Sequence, residues 1–183
     1  MTKQITCIPA LFCLLFACGF NRLYAQSLNM GSPNKNINVH LVSPKSPGEV
    51  WSFAVDYKND THVLPAIKLG LLREDADFAH NLNLKGIGKV QVIHDRYVAL
   101  HGKKSICTND ANEVSLQFIT ADKKEIDVIL RVYNDGVAFR YTFPEKKTGQ
   151  YKMLDELTAY KLPDSAKRWI VALKRLFPDR HSA

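Results

Sequence analysis

The chain has 183 residues, with 25 Lys and Arg against 18 Asp and Glu, and a formal net charge of +7. The excess lies at the ends: residues 26–166 contain 18 basic and 17 acidic residues, and residues 167–183 contain five basic residues and one acidic residue. A nearly neutral body, without basic residues interleaved with aromatics over one face, excludes a typical nucleic-acid-binding protein.

Residues 1–25 predict an export signal. Lys3 supplies a positive charge, an uncharged apolar run covers residues 8–20, and Ala25 is a small residue suited to cleavage. The run is too short to span a membrane comfortably, so we expect no membrane span. The expected location is the periplasm; an alternative processing site would anchor the protein to lipid through Cys18.

Cleavage after Ala25 leaves one domain and one of the four cysteines, Cys107. A single cysteine permits neither an internal disulfide nor a cysteine-based metal site. The six histidines show no close ligand spacing. We therefore expect no metal site and no cofactor in this chain.

The alternation of apolar and polar residues predicts strands along most of the chain. Residues 26–36 are polar, contain Gly31 and Pro33, and are expected to form a flexible lead-in. The following period of two predicts an all-β fold, an antiparallel β-sandwich over residues 37–166. The alternating segments are 37–42, 49–57, 90–93, 97–101, 113–121, 125–133 and 137–143, and the apolar run 66–72 is expected to be a more buried strand.

Evidence for helices is confined to two places. One turn is expected within residues 75–84. A short C-terminal helix is expected over 166–177, with Ser165 as its N-cap, so that it falls mainly within the basic tail 167–183.

The most informative segment is a predicted hairpin at residues 125–143. Asn134, Asp135 and Gly136 suit the tight turn between its two strands. The hairpin is expected to lie at the centre of the sandwich, with one face in the core. Alternation places on the core face Val128, Leu130, Val132, Val137, Phe139, Tyr141 and Phe143.

The opposite face of this hairpin carries Arg131, Tyr133 and Arg140. The two arginines are expected to meet across the strands or to hold a carboxylate from elsewhere. We predict no catalytic residue, because a working pair of carboxyl groups must face each other, whereas adjacent Asp155 and Glu156 point to opposite sides of a strand. Further acidic residues, Glu74, Asp75 and Asp77, are expected to be solvated charges in a surface turn.

The stretch VILRVYNDGVAFRYTFPE, residues 128–145, resembles the signature of the N-terminal domain of glycoside hydrolase family 97. Flanking stretches resemble other parts of the same domain, so the resemblance runs from about residue 37 to residue 170. These stretches are VHLVSPKSPGEVWSFAVDY (39–57), LPAIKLGLL (64–72), NEVSLQFITADKKEIDVILRVY (112–133) and LDELTAYKLPDSAKRWI (154–170).

The resemblance implies an exported bacterial enzyme of the α-glucosidase or α-galactosidase type. The family places a galactose-mutarotase-like super-sandwich before a (β/α)₈ barrel, which carries the catalytic carboxylates and most calcium ligands. None of these residues can be mapped onto this sequence, which departs from the family pattern after Ile170. The expectation is an incomplete super-sandwich, truncated before the barrel and inactive alone, whose continuation would be found in another reading frame of the DNA.

In the intact enzyme the module would support the barrel of the same chain and shape its carbohydrate pocket, for which Arg131, Tyr133 and Arg140 are the candidate contacts. Calcium belongs to the intact family enzyme, and we expect none in this chain. The alternative is a free-standing secreted module for carbohydrate binding or adhesion. An apolar docking patch would favour the enzyme module, and an exposed aromatic platform would favour the binding module.

Overall fold

The computed structural model describes residues 27–58, 60–100, 105–145 and 149–167, and within these ranges it is built from strands. The predicted all-β fold is confirmed. The predicted export signal and most of the C-terminal helix and basic tail lie outside the described residues. The strands are β1 (Asn29–Gly31), β2 (Ile37–Val42), β3 (Ser52–Tyr57), β4 (Asp60–Lys68), β5 (Leu71–Arg73), β6 (Ala76–Asp77), β7 (Asn83–Ile87), β8 (Gln91–Val98), β9 (Ile106–Ile119), β10 (Glu125–Tyr133), β11 (Val137–Thr142), β12 (Met153–Glu156) and β13 (Ala159–Lys161).

The described strands form three antiparallel sheets. The first sheet has the order β1-β2-β3-β4-β13, and the second has the order β11-β10-β9-β7, with β8 also paired to β9. A small third sheet has the order β12-β5-β6. The inner faces of the first and second sheets share one apolar core, which is the arrangement of a β-sandwich.

The core follows directly from the alternation in the sequence. Every second residue of β2 and of β10 is buried. Phe53 of the first sheet has no exposed surface and stacks at 5.9 Å, centroid to centroid, on Phe139 of the second sheet. Full burial of one such side chain is worth roughly 1.5–3 kcal/mol, so this row of inward residues stabilises the pairing of the two sheets.

Part of the predicted flexible lead-in is instead a strand of the first sheet. Residues of β1 pair in register with β2, and Leu28 and Met30 are buried in the core. The turn that follows is fixed by Ser32, whose hydroxyl accepts the backbone N–H of Ile37 at 3.0 Å. The sequence of this segment is mostly polar, because so short a strand contributes only Leu28 and Met30 to the core.

The predicted hairpin is confirmed in its strands and faces, but its position in the sheet differs from the prediction. β10 and β11 pair from Asp127–Thr142 to Val132–Val137, and the predicted core residues of β11 pack against the core as partly buried side chains. However, β11 ends the described order of the second sheet, so the hairpin is not central. Whether a further strand pairs with the outer edge of a hairpin depends on segments distant in the chain, so the sequence of the hairpin does not determine it.

The strand β9 is longer than the sheet it belongs to. Its partner β10 ends opposite Ala111, and residues 106–110 continue beyond that point, paired only with β8 among the described strands. We call residues 91–98 and 106–110 the β8–β9 ribbon. It projects from the sandwich as two strands.

Candidate carbohydrate-contact site

The structure brings the three predicted contact residues together on the outer face of the second sheet. Arg131 faces Ala138 across β10 and β11, and Arg140 faces Ile129 two residues further along. Because residues 126, 128, 130 and 132 point inward, Arg131 and Tyr133 must point outward. A shallow groove of about 200 Å³ lies between them, lined by Ile129, Arg131, Tyr133, Ala138, Phe139 and Arg140.

Arg131 holds two carboxylates from neighbouring strands. Its Nη1 donates to Asp95 Oδ2 on β8 at 3.0 Å, and its Nε donates to Glu113 Oε2 on β9. The Tyr133 hydroxyl lies 3.5 Å from Nη1. Hydrogen bonds to Tyr133 and Glu113 raise the pKa of the guanidinium, so its charge persists at every pH at which the protein is folded.

The two arginines therefore play different parts. Of the two predicted arrangements, Arg131 adopts the one in which an arginine holds a carboxylate, and it does so twice. Arg140 is exposed and has no ion-pair partner among the described residues. Asp95 and Glu113 were missed by the sequence analysis; Glu113 lies opposite Arg131 in register, a pairing that the sequence alone does not specify.

The arrangement offers chemistry suited to a sugar. Tyr133 presents a half-buried ring and a hydroxyl, Arg140 presents five free N–H donors, and Asp95 and Glu113 present carboxylate acceptors. A ring face for stacking beside fixed donors and acceptors is the usual composition of a carbohydrate contact. The groove is shallow, so it fits the edge of a sugar chain better than an enclosed monosaccharide.

A second polar cluster surrounds Arg73 and was not predicted. The Arg73 side chain is 1% exposed, and its Nε and Nη2 contact Asp75 at 2.5 and 3.1 Å. Nη2 also donates to Glu145 at 2.8 Å. Around this group three aromatic rings have their centroids 5.1, 4.6 and 4.1 Å from the guanidinium carbon, and they belong to Phe78, Phe143 and Tyr151.

The Arg73 cluster corrects two expectations for residues 74–84. The expected helical turn there is a short strand, β6, followed by a turn in which Asp77 accepts the N–H groups of Ala79 and His80 at 2.7 and 3.1 Å. Asp75 is not a free solvated charge, because it pairs with Arg73 and with Lys124. The cluster joins the third sheet to the segment after β11, which is a structural role.

Neither a metal-binding cluster nor a membrane-spanning helix occurs among the described residues. Among the described residues, no group of three or more His, Cys, Asp or Glu side chains is arranged to hold a metal ion. The same ranges contain no helix of the length and hydropathy that a membrane span requires. Cys107, on β9, is a free thiol of intermediate exposure.

Solved structures of larger enzymes contain a similar fold. The crystal structure of a β-arabinopyranosidase matches 75% of this chain and 22% of its own length, with a TM-score of 0.67 and 26% identity. A glycoside hydrolase family 97 enzyme from Pseudoalteromonas sp. strain K8, in complex with acarbose, matches 75% of this chain and 20% of its own length. Its TM-score is 0.64 at 21% identity.

Sequence comparisons point to the same group of proteins. A probable retaining α-galactosidase from Streptomyces bingchenggensis (strain BCW-1) is 33% identical over 113 residues, which are 62% of this chain and 17% of that protein. The chain thus spans less than a quarter of the length of these relatives.

The family model for the glycosyl-hydrolase 97 N-terminal domain matches residues 30–181. The match includes most of β1 and most of the basic tail, both of which the sequence analysis had separated from the domain. It covers most of the chain, and the fold agrees with that of the solved family 97 enzyme. This chain therefore belongs to the glycoside hydrolase family 97 N-terminal domain family.

Proposed function

We propose that this chain is the non-catalytic N-terminal β-sandwich module of an exported α-glucosidase- or α-galactosidase-type enzyme of family 97. In that enzyme it supports a (β/α)₈ barrel and shapes the carbohydrate pocket. The proposal is supported by the family match and by the name of the Streptomyces relative. The observation that carries it is a set of apolar side chains on the β8–β9 ribbon that are exposed in the described part of the chain.

The ribbon exposes large apolar side chains on one face. Val92, Val98 and Ile106 are 62%, 70% and 52% exposed. Val98 and Ile106 are cross-strand partners, and Val92 lies on the same face, opposite Asn112. Between Val92 and the Val98–Ile106 pair, this face carries Arg96 and the His94–Asp110 pair. Along β9 the face continues the core face of the second sheet, where Val114 is buried.

An inner sheet face that runs past its covering sheet leaves apolar area in water. Burial of this area is worth roughly 25 cal/mol per Å², and exposed apolar groups rimmed by polar residues mark sites of protein contact. A large partner packed against the ribbon would complete the sandwich core at this end. The barrel of the same enzyme is the partner that the family membership supplies.

The test is association in trans with a family 97 barrel produced without its own N-terminal region, for example that of the Streptomyces relative. We expect Val92→Lys with Ile106→Lys to weaken binding at least about tenfold, because two charges would be buried at the interface. Leu154→Lys is the matched control, since Leu154 is 57% exposed but lies on β12, outside the ribbon.

Binding measured by calorimetry separates the outcomes. An unchanged affinity for the double ribbon variant, or an equal loss for Leu154→Lys, would show that the barrel does not dock on the ribbon. Thermal unfolding of each variant is the control for folding, and we expect little change because the replaced side chains are exposed.

The groove beside Arg131 favours a second candidate function, a free-standing carbohydrate-binding module. Its support is the half-buried Tyr133 ring next to Arg131 and Arg140. In this case the purified chain would bind neutral oligosaccharides by itself, and Tyr133→Ala would abolish binding, whereas Tyr57→Ala, at an exposed tyrosine of the first sheet, would not. Absence of binding to maltotriose and to galactose-containing oligosaccharides would exclude this candidate.

A further inference from the structure

We propose that the outer face of the first sheet carries a binding site for a carboxylate-bearing sugar, a uronate. The site is a cleft of about 650 Å³, larger than the groove beside Arg131 and within the usual range of roughly 300–1,000 Å³ for small-molecule sites. We call it the basic cleft and define it by six of its lining residues: Lys45, Glu49, Ser52, Lys68, His80 and Lys161.

The floor of the cleft is formed by a row of cross-strand partners that includes two small residues, Ser52 and Ala159, on either side of Lys68. Ser52 of β3 is Cα partner to Val42 and to Lys68, and Lys68 is partner to Ala159 of β13. Ser52 is 8% exposed although it lies on the outer face of its strand. A serine and an alanine in this row, beside longer neighbours, leave a depression in the sheet surface.

The walls come from the segments that border this face. The connection from β2 to β3 contributes Lys45 and Glu49, and the turn after β6 contributes His80. Glu49 is held in place because its Oε2 accepts the Lys45 backbone N–H at 2.8 Å. Its carboxylate is therefore a fixed acceptor on one wall.

The cleft has a net positive charge, because three lysines line it and its one carboxylate, that of Glu49, lies beside Lys45. Lys68 is the Cα partner of Ala159, and Lys161 is the Cα partner of Ala66. Because each lysine lies two residues from the alanine on its own strand, Lys68 and Lys161 point to the same side of the sheet. Within the described ranges, neither of these lysines nor Lys45 forms an ion pair. By contrast, Lys85 pairs with Glu125 and Lys124 with Asp75 elsewhere on the surface.

Like charges placed diagonally across two strands repel each other. An anion between Lys68 and Lys161 would remove this repulsion and gain two charge-assisted hydrogen bonds. The Glu49 carboxylate disfavours a second anionic group but accepts hydrogen bonds from hydroxyl groups, and the Ser52 hydroxyl can donate or accept. One carboxylate together with several hydroxyls is the composition of a uronate.

The test is an NMR titration of the ¹⁵N-labelled chain with galacturonate and glucuronate, with neutral galactose and inorganic phosphate as the comparison ligands. We expect galacturonate or glucuronate to shift the amide signals of Ser52, Lys68 and Ala159, and galactose at the same concentration to shift none. Affinity for the uronate should fall severalfold when the ionic strength is raised from about 50 to about 300 mM, because salt screens the lysine charges.

Substitutions locate the site. We expect Lys68→Gln with Lys161→Gln to reduce uronate affinity about tenfold, which corresponds to about 1.4 kcal/mol. Lys89→Gln is the matched control: Lys89 is exposed, lies outside the cleft, and should leave the affinity unchanged. A thermal unfolding scan establishes that each variant is folded.

Three results would overturn the proposal. If galactose bound as tightly as galacturonate, the carboxylate of the sugar would contribute nothing to binding. Phosphate that binds as tightly as galacturonate would reduce the cleft to an unselective anion site. If the double variant bound galacturonate as tightly as the unmodified chain, the two lysines would not contribute to binding. Their role would then be to prevent β13, the last strand in the described order of the first sheet, from pairing with a strand of another molecule.

Discussion

At the scale of single residues, Arg73 and Arg131 show two ways of holding an arginine in this sandwich. Arg73 is buried, and its desolvation is offset by two carboxylates and three aromatic rings. Arg131 is partly exposed and is paired with Asp95 and Glu113. The first arginine fixes the position of the third sheet, and the second orders the outer face that holds the candidate sugar contacts.

The Asp75–Arg73 pair predicts a pH dependence of stability. The hydrogen bond from Arg73 lowers the pKa of Asp75 below its ordinary value of 3.8. A carboxylate whose pKa is depressed by folding stabilises the protein above its unfolded pKa, and that contribution is lost as the pH falls through the folded pKa. We therefore expect Asp75→Asn to lower the unfolding temperature at pH 7, and the difference from the unmodified chain to shrink below about pH 4.

Asp127 is the control for this prediction. Burial, and secondarily the nearby Glu125, raises the pKa of Asp127, so its charged form is disfavoured by folding. Asp127→Asn should therefore not reduce the unfolding temperature at pH 7. A constant difference between Asp75→Asn and the unmodified chain from pH 7 to pH 2.5 would contradict the role of the Asp75–Arg73 pair.

At the scale of elements, β11 is the last strand in the described order of the second sheet, and only its inward face packs against the core. Its inward residues are packed but only partly buried, and Phe139 contacts both Phe53 and Tyr141. Tyr141 adds a polar link across the core: its hydroxyl accepts the Gly70 N–H at 3.0 Å and lies 3.0 Å from the Thr158 Oγ1. The inward face of the strand is thus attached to the first sheet and to the two connections that join the first and third sheets.

Phe139→Ala should destabilise the chain by about 3 kcal/mol, the lower end of the usual cost of removing a core aromatic, because the ring is not fully enclosed. The measurement is denaturant unfolding at equilibrium. Arg140→Ala, on the opposite face of the same strand, should change stability by no more than about 0.5 kcal/mol. A loss below about 1 kcal/mol for Phe139→Ala would mean that this face of β11 does not support the core.

The sequence predicted the strand positions and faces better than it predicted the neighbours of each strand. Period-two alternation was visible in β2, β10 and β11, and the structure confirms their inward residues. It was too brief to be seen in β1, and it could not show that β11 lies at the edge. Burial acts on each residue locally, whereas strand order depends on which distant segments pair.

At the scale of the whole molecule, three surfaces lie on different parts of the sandwich. The groove beside Arg131 is on the outer face of the second sheet, the basic cleft is on the outer face of the first, and the ribbon projects beyond both. A barrel on the ribbon would leave the two sheet faces as separate surfaces, so the proposals for barrel docking and uronate binding can be tested independently.

The purified chain should not hydrolyse aryl α-glucosides or aryl α-galactosides, with or without calcium. Hydrolysis requires two carboxyl groups roughly 5–10 Å apart, one of them free to act as an acid. The neighbouring carboxylates Asp95 and Glu113 are both bound to Arg131. Turnover by a clean preparation that is abolished by Glu113→Gln would contradict this expectation.

By itself, the sequence determined strands such as β2, β10 and β11 and the core face of the hairpin, because a period of two is a local consequence of strand geometry. The family resemblance came from the similarity of particular stretches, and the three candidate contacts from their place on the outward face. Only the tertiary structure joined Asp95 and Glu113 to Arg131, enclosed Arg73 in aromatic rings, and left apolar side chains of the β8–β9 ribbon exposed among the described residues. These features depend on the register and order of strands distant in the chain. Register and order are set by packing of the complete core, and no single segment contains that information.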